Sequence, residues 1–173
     1  QGAEVLPSSA EYPYLRVKLS NGRVVETNLV GSYNADNVMA ALAVGQHFGV
    51  ALEEGVAAIE AYVPANNRSQ MTKTERNTLI VDAYNANPTS MAAALENFSN
   101  VDAEVKVALL GDMYELGHES ERLHEQVGAE YATAGGELLF TYGKFADGIA
   151  TGAILHGVLN ENVYRNNDVK NPA

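Results

Sequence analysis

The stretch that decides the fold is VDAYNANPTSMAAALENF, residues 81–98, which passes from a strand through a polar turn into a helix. The apolar run at 78–81 predicts a short buried strand. MAAALENF is rich in helix formers and predicts a helix over 88–99. Pro88 suits the first helical position, and the cap is Asn87 or, alternatively, Thr89 or Ser90.

Strands and helices continue to alternate after this stretch. Apolar runs predict strands at 105–110 and 137–141, and helical periodicity predicts helices at 119–134 and 144–151. Short apolar strands separated by helices are typical of βαβ units on a parallel sheet. We therefore predict an α/β, Rossmann-like domain with a mainly parallel sheet flanked by helices. The last residues, 161–173, are polar and show no periodicity.

The first part of the chain has a different pattern of predicted elements. Asn21-Gly22 separates two alternating runs, which predicts a hairpin with strands at 14–19 and 24–30. Helical spacing in GSYNADNVMAALAVGQHFGV predicts a first helix, and a second is predicted at 53–61. This region therefore reads as a small piece made of a hairpin and two helices.

A polar connector rich in residues that break helices and strands, VPANNR at residues 63–68, separates these two regions of the sequence. It predicts a domain boundary, with one domain over 1–63 and a second over 64–173. The chain opens with QGAEVL rather than with an initiator Met, so we expect it to be an excised part of a longer protein.

Composition limits the classes of function. Of the 173 residues, 46% are hydrophobic, which is enough to form a core, and the formal net charge is −11. Nucleic acids and anionic membranes require a basic surface, so we expect neither as a partner. Because there is no cysteine, disulfides, thiolate catalysis and Cys-based metal sites are excluded. The sequence shows no apolar run of transmembrane length and no signal peptide.

Polar side chains cluster in the turns that follow the predicted strands, namely DAYNANP, GDMYELG and TYGK. Ligands of open parallel sheets bind beyond the carboxyl ends of the strands, so these turns predict a shared site. Asp82 is placed to accept hydrogen bonds from the two hydroxyls of a ribose, and the following helix start favours an anion. The alternative is that Asp82 and Asn85 bond only the amides of the turn.

Two polar features upstream point to the same kind of ligand. Asn34 and Asn37 lie three residues apart on one face at the start of a helix, and carboxamides match the donor–acceptor edge of adenine. Alternatively, Asn34 is only the helix cap. Arg68, in the connector, can bind a phosphate bidentately or be an ordinary solvated charge.

Two signals of a complete catalytic site are missing from the sequence. His118 and His124, with Glu119 and Glu121 nearby, match no compact metal-ligand spacing and are explained more simply as surface or capping residues. There is also no GxxxxGK[ST] loop to cradle phosphates. We therefore expect no metal site and no complete active site in this chain.

Four segments, in their order and spacing, resemble the Mur ligases: GSYNADNVMAALAV, NNRSQ, VDAYNANPTSMAAALENF and ALLGDMYELGHESERLHEQVG. The resemblance covers about residues 15–145 and is closest to the family member that adds D-alanyl-D-alanine to UDP-N-acetylmuramoyl-tripeptide. It implies a cytoplasmic, ATP-dependent amide ligase that forms an acyl phosphate with the help of Mg²⁺. It also implies that residues 1–63 end the central ATPase domain and that 64–173 form most of the C-terminal domain.

The resemblance further implies roles for individual residues. Seven match family positions that bind ATP: Asn34, Asn37, Arg68, Asp82, Tyr84, Asn85 and Asn87. Two match the place where relatives meet the incoming amino substrate: Asp112 and Glu115. The family's phosphate-binding loop and Mg²⁺ ligands have no counterpart in this sequence, so we expect no catalytic residue here. The chain alone is expected neither to hydrolyse ATP nor to form the amide.

Two alternatives remain open. One is another amide ligase of the same superfamily, such as a folylpolyglutamate synthase, although the pair YNANPTSM and GDMYELG disfavours it. The other is a non-catalytic nucleotide-binding module built on the same sheet. The residues upstream of Gln1 would separate these alternatives, because a GTNGKT-like stretch there indicates a ligase.

Overall fold

The structure is a computed structural model that describes residues 3–9, 12–65 and 68–166. The chain divides into two compact units, Gln1–Tyr84 and Asn85–Ala173, and each unit has its own hydrophobic core. Asn66 and Asn67 of the predicted connector, and the tail from residue 167 onward, lie outside the described residues. None of the described helices is long and apolar enough to cross a membrane.

The first unit begins with a three-stranded antiparallel sheet in the order β1-β2-β3. Its strands are β1 (Ala3–Leu6), β2 (Arg16–Leu19) and β3 (Val24–Glu26). The predicted β2–β3 hairpin is confirmed, and Gly22 supplies the positive φ of +87° that its turn requires. Strand β1 was not predicted from the sequence.

Two helices, α1 (Ala35–His47) and α2 (Leu52–Ala61), pack on this sheet, as predicted. The buried residues that they share with the sheet are Leu15, Val17, Leu19, Val25, Val38, Leu42 and Val56. Arg23 Nη2 in the hairpin donates to both carboxylate oxygens of Glu60 on α2, at 3.0 and 3.1 Å. The hairpin is therefore held to α2 by a forked ion pair as well as by apolar contact.

The prediction that 78–81 is a buried strand of the parallel sheet is wrong in its pairing and in its burial. Strand β5 (Thr78–Val81) pairs antiparallel with β4 (Gln70–Lys73) in a separate two-stranded sheet. A tight turn joins them, in which the Thr74 N–H donates to the Asn77 carbonyl oxygen and the Asn77 N–H to Thr74 Oγ1. Pairing between these two neighbouring strands is favoured over pairing with the parallel sheet, because closing so short a loop costs little entropy.

The second unit is the predicted α/β domain. Its three strands run parallel in the order β6-β7-β8, which confirms the Rossmann-like fold class. In chain order its elements are α3 (Pro88–Asn100), β6 (Val107–Gly111), α4 (Ser120–Thr133), β7 (Leu138–Tyr142), α5 (Asp147–Leu155) and β8 (Val163–Asn166).

Strand β8 corrects the reading of residues 161–173 as a tail without periodicity. Residues 163–166 add to the sheet beside β7, and the Tyr164 ring stacks on the Phe140 ring with centroids 4.7 Å apart. The segment is too short for a period-2 pattern to be visible in the sequence, and the polar residues around it conceal it.

Helices α4 and α5 approach each other closely through glycine. A Cβ at Gly128 would lie 2.0 Å from the carbonyl oxygen of Ile149, and a Cβ at Gly152 would lie 2.0 Å from that of Glu125. Only glycine allows this contact between the two helix backbones. The start of α5 lies near the end of β6, because Asp112 accepts from the N–H groups of Phe145 and Ala146.

Candidate functional site

Ser69 lies at the centre of a hydrogen-bond network in the first unit. The β4–β5 register pairs Gln70 with Val81, so the next position along places Ser69 opposite Asp82. The Ser69 N–H donates to Asp82 Oδ1 at 3.3 Å, and the Ser69 carbonyl oxygen accepts from the Val30 N–H at 3.2 Å. Ser69 itself is only 4% exposed, whereas its bond to the exposed Asp82 is partly buried.

Asn34 joins the start of α1 to this network. Its Nδ2 donates to the Val30 carbonyl oxygen and to Ser69 Oγ, both at 2.9 Å. Its Oδ1 accepts from Asn37 Nδ2 at 3.1 Å. Asn34 occupies the cap position before α1, but its side chain makes no capping bond. The side chain serves the hydrogen-bond network instead. Both of its amide hydrogens are used internally, which leaves the exposed Asn37 as the carboxamide with spare hydrogen-bonding capacity.

Asp82 is held by two donors and remains exposed. Tyr33 donates its hydroxyl hydrogen to Asp82 Oδ2 at 3.0 Å, while the Ser69 N–H bonds the other oxygen. These partners come from outside the turn, unlike the turn amides that the alternative interpretation assigned to Asp82. An ionised carboxylate has about four lone-pair sites, so each oxygen keeps capacity for another donor. Two hydroxyl groups on neighbouring carbons would use that capacity.

Tyr33 is fixed by a glycine and carries a shifted pKa. A Cβ at Gly31, where φ is +93°, would lie 2.3 Å from the Tyr33 ring, so the ring position requires glycine. Burial raises the pKa of Tyr33 to about 12; the hydrogen bond with Ser69 lowers it and the negative charge of Asp82 raises it. The Tyr33 hydroxyl therefore keeps its proton at neutral pH and remains a donor to Asp82.

Arg68 and Tyr84 form a stacked pair in the same unit. The Arg68 guanidinium carbon lies 3.6 Å from the centroid of the Tyr84 ring. Both side chains are exposed, and stacking of this kind orients the guanidinium plane while leaving its edge donors available. The structure thus brings Asn34, Asn37 and Asp82 into one hydrogen-bond network. Arg68, which precedes Ser69 in the chain, stacks on Tyr84.

In the second unit, Asn87 is the cap of α3, as one of the predicted alternatives held. Asn87 Oδ1 accepts from the Ser90 N–H at 2.9 Å, and the Asn87 N–H donates to Ser90 Oγ at 3.1 Å. Pro88 occupies the first helical position. The side chain of Asn87 is therefore engaged in a reciprocal capping box. Asn85 lies exposed in the turn before it.

Asp112 anchors the start of α5. Its Oδ1 accepts from the N–H groups of Phe145 and Ala146 at 2.8 and 2.6 Å. A Cβ at Gly143, where φ is +118°, would lie 2.4 Å from the Asp112 carboxyl carbon, so the approach requires glycine. Glu115, the other predicted acceptor-substrate residue, is exposed and has a φ of +65°. The sequence did not reveal the structural role of Asp112.

His124 corrects the expectation of a surface or capping histidine. It is fully buried, accepts from the Met113 N–H at Nε2 (3.0 Å), and donates from Nδ1 to the Ser120 carbonyl oxygen (2.6 Å). These partners fix the neutral form with its proton on Nδ1. Among the described residues, no group of three or more His, Cys, Asp or Glu side chains could hold a metal ion.

Sequence reasoning missed Tyr33 and Ser69, although both lie inside the quoted motifs GSYNADN and NNRSQ. Both act by bonding other side chains, and nothing in the motifs alone indicates such long-range bonds. The signal that could have found Ser69 is the β4–β5 register, because a hairpin over 70–81 places residue 69 opposite Asp82.

A parallel sheet with polar turns at its strand ends is typical of α/β proteins that bind ligands there. The profile of the family described as "Mur ligase, glutamate ligase domain" matches residues 67–171. With 105 of the 173 residues matched, the chain belongs to the Mur ligase family.

Named relatives agree with this assignment. Over 130 residues the chain is 38% identical to the UDP-N-acetylmuramoyl-tripeptide–D-alanyl-D-alanine ligase of Bacillus subtilis, covering 74% of this chain and 28% of that protein. A crystal structure of MurF from Acinetobacter baumannii is similar with a TM-score of 0.76 and 31% identity, covering 94% of this chain and 34% of the other.

A MurF ligase from Thermotoga maritima, solved in complex with ADP, shares the fold. Its TM-score is 0.72 at 16% identity, and the alignment covers 94% of this chain and 42% of that one. This chain therefore spans 28% to 42% of the lengths of these three relatives.

Proposed function

We propose that the chain is part of an ATP-dependent ligase that adds D-alanyl-D-alanine to UDP-N-acetylmuramoyl-tripeptide, a step of peptidoglycan precursor synthesis in the cytoplasm. The observation that carries the proposal is the 38% identity over 130 residues to the Bacillus subtilis ligase of that name. That relative is named as this ligase and not as a folylpolyglutamate synthase, which favours the former.

We also propose that the domain boundary lies between residues 63 and 64. The family profile supports this, since its match begins at residue 67. The compact units divide later, after Tyr84. The reason is that the open end of the β4–β5 hairpin is hydrogen-bonded to the residues before α1, through the pairs Ser69–Asn34 and Asp82–Tyr33. The hairpin would then belong to the second domain in sequence while contacting the residues that begin α1.

The residues of the first unit fit a nucleotide. Asp82 has spare acceptors for ribose hydroxyls, Arg68 has donors for phosphate, and Asn37 has a carboxamide for adenine. For Tyr84, Asn85 and Asn87 we propose the ATP-binding roles that the resemblance to the family implies. When bound, ATP would supply the phosphoryl group that activates the substrate carboxylate, while these residues bind and orient the nucleotide and exclude water.

Among the described residues, no group of three or more His, Cys, Asp or Glu side chains is arranged to hold a metal ion. We therefore assign no step through the metal to this chain. Without metal ligands or a phosphate-binding loop in its sequence, the chain alone is proposed to be inactive in ATP hydrolysis and in amide formation.

For the acceptor dipeptide, we propose Asp112 and Glu115. The dipeptide carries an amine, and a carboxylate near it would orient that amine through a charge-assisted hydrogen bond. Glu115 is exposed, so its carboxylate is free to serve this purpose, whereas Asp112 acts mainly by holding the start of α5 in place.

The proposal is tested in the full-length ligase. Phosphate release from ATP should require both UDP-N-acetylmuramoyl-tripeptide and D-alanyl-D-alanine, and a folate substrate should not replace them. Asp82→Ala should raise the apparent KM for ATP roughly 10-fold, because the charge-assisted contacts to the ribose hydroxyls are lost. Asp102→Ala, an exposed acid in a loop, is the matched control. An unchanged KM for ATP in Asp82→Ala would contradict the ribose assignment.

A further inference from the structure

The hydrogen bonds around Asp82 run in a single direction. A carboxylate only accepts, so the Tyr33 hydroxyl must donate its one proton to Asp82 Oδ2. The Ser69 hydroxyl, 3.0 Å from the Tyr33 oxygen, must therefore be the donor in that pair. Ser69 Oγ accepts in turn from Asn34 Nδ2 at 2.9 Å. The chain of donors thus runs from Asn34 through Ser69 and Tyr33 to Asp82, and each member polarises the next.

The backbone of Ser69 is strained in a way that serves this network. Its φ is +48°, and among the described residues only Glu115 is another non-glycine residue with a positive φ. L-residues adopt this region at a free-energy cost, which persists where surrounding contacts over-determine the conformation. At Ser69 the N–H bonds Asp82 while the hydroxyl bonds Tyr33 and Asn34, so the conformation satisfies three partners at once.

The result is a carboxylate with a fixed plane. Each Asp82 oxygen has one donor from the chain, Tyr33 for Oδ2 and Ser69 for Oδ1. Each oxygen therefore keeps acceptor capacity on its remaining side, and the two acceptors are held in one orientation. Two neighbouring hydroxyls of a sugar need two acceptors side by side. A carboxylate that rotated freely would lose part of its contact with one of them.

We infer that Tyr33 and Ser69 are positioning residues, which fix the carboxylate of Asp82 for the 2′- and 3′-hydroxyls of a nucleotide ribose. The inference rests on the proposed function, because it requires Asp82 to bind the ribose. It goes further, because it assigns the selection for a ribose with both hydroxyls to two residues that bond each other, Asp82, Asn34 and the backbone.

The experiment compares ADP with 2′,3′-dideoxy-ADP, which lacks both hydroxyls, as ligands of the 173-residue chain. Binding is followed by amide chemical-shift titration, which measures millimolar dissociation constants. In the wild type, ADP should bind roughly 10-fold more tightly than the dideoxy analogue. Tyr33→Phe keeps the ring that packs on Gly31 but removes the hydroxyl, and it should lower this ratio by roughly 5-fold.

Ser69→Gly is the second variant. Glycine adopts the positive φ of this position without strain and keeps the N–H to Asp82, so the variant removes the hydroxymethyl side chain and leaves the backbone bond in place. It should lower the ADP to dideoxy-ADP ratio as Tyr33→Phe does, with unchanged binding of the dideoxy analogue. Tyr62→Phe, an exposed tyrosine of the same unit, should leave the ratio at its wild-type value.

The outcomes separate the inference from the proposed function. Suppose that Asp82→Asn brings the ratio of ADP to dideoxy-ADP affinity to one, but Tyr33→Phe and Ser69→Gly leave it at the wild-type value. The positioning role is then overturned, and the ribose role of Asp82 stands. If both variants weaken the two nucleotides equally, their role is merely structural and the inference is also overturned. If the wild type binds both nucleotides equally, the ribose role itself fails and the inference fails with it.

Discussion

Asp82 and Asp112 occupy equivalent places in the sequence but are held in different ways. Each directly follows the last residue of a strand, β5 for Asp82 and β6 for Asp112. Asp82 is bonded by one side-chain hydroxyl and one N–H, and it stays exposed. Asp112 is half-buried, and one of its oxygens accepts two N–H groups at the start of α5.

The difference shows that a strand-end acid acquires its role from what lies opposite it. The start of a helix offers N–H groups without partners, and an acid that meets them becomes part of the fold. Asp112 is in that position, whereas Asp82 faces two donors that fix it and still leave acceptor capacity. We therefore expect substitutions around Asp112 to affect mainly stability and those around Asp82 to affect mainly ligand binding.

The largest effect is expected at Gly143, which allows Asp112 to reach α5. In Gly143→Ala, the Cβ would lie 2.4 Å from the Asp112 carboxyl carbon in a backbone with φ of +118°. The strained backbone and the clash together should lower the free energy of unfolding by about 3 kcal/mol, measured by urea denaturation.

Gly157→Ala is the matched control for this prediction. Gly157 also has a positive φ, +103°, but a Cβ there would meet nothing within 4 Å. It should lose only the backbone part, about 1 kcal/mol. Equal losses in the two variants would show that the Asp112 approach contributes nothing at Gly143.

Asp112→Ala should have the next largest effect. It leaves the N–H groups of Phe145 and Ala146 without their acceptor, and the free energy of unfolding should fall by about 2 kcal/mol. Asp112→Asn should lose less, since its carbonyl oxygen still accepts. Asp102→Ala, in an exposed loop, should change stability by less than about 0.5 kcal/mol and serves as the control.

The local elements of both units could be predicted from the sequence where pattern and breakers agree. Asn21-Gly22 indicated the β2–β3 hairpin, and Pro88 with Asn87 indicated the start of α3. These features depend on residues close together in the chain, whose backbone preferences are strong. The parallel sheet followed from the alternation of strands and helices.

Pairing and polar contacts could not be predicted in the same way. The apolar run of β5 reads as a buried parallel strand, yet β5 pairs with β4, and Leu79 is 48% exposed. The bonds of Ser69 to Asn34 and Asp82 join residues far apart in sequence. Such contacts depend on the three-dimensional register, which composition and spacing do not encode.

The network around Asp82 should also appear in the alkaline stability of the protein. Burial raises the pKa of Tyr33 from its usual 10.0 to about 12, so the folded chain keeps this proton when the unfolded chain has lost it. The contribution of Tyr33 is complete below pH 10 and is lost as the pH rises from about 10 towards 12. Between pH 9 and 11, this loss should lower the free energy of unfolding by about 1 kcal/mol after allowance for solvent screening.

Urea denaturation at pH 9, 10 and 11 measures this contribution. Tyr33→Phe should flatten the decline with pH relative to the wild type, and the exposed Tyr62→Phe should leave it unchanged. Tyr131 contributes a second, independent part, because its burial, and secondarily the charge of Glu137, raise its pKa to about 12 as well. A decline that is identical in Tyr33→Phe and the wild type would exclude Tyr33 as its source.

The smallest effect on stability is expected for Asp82→Ala, the counterpart of Asp112→Ala. Asp82 is exposed, so water can replace the carboxylate as the partner of the Tyr33 hydroxyl and the Ser69 N–H. The free energy of unfolding at pH 7 should therefore change by less than about 1 kcal/mol. Removing its negative charge also removes one cause of the raised pKa of Tyr33, so the alkaline decline should become shallower. A loss at pH 7 as large as that of Asp112→Ala would mean that both strand-end acids serve the fold, and the contrast between them would disappear.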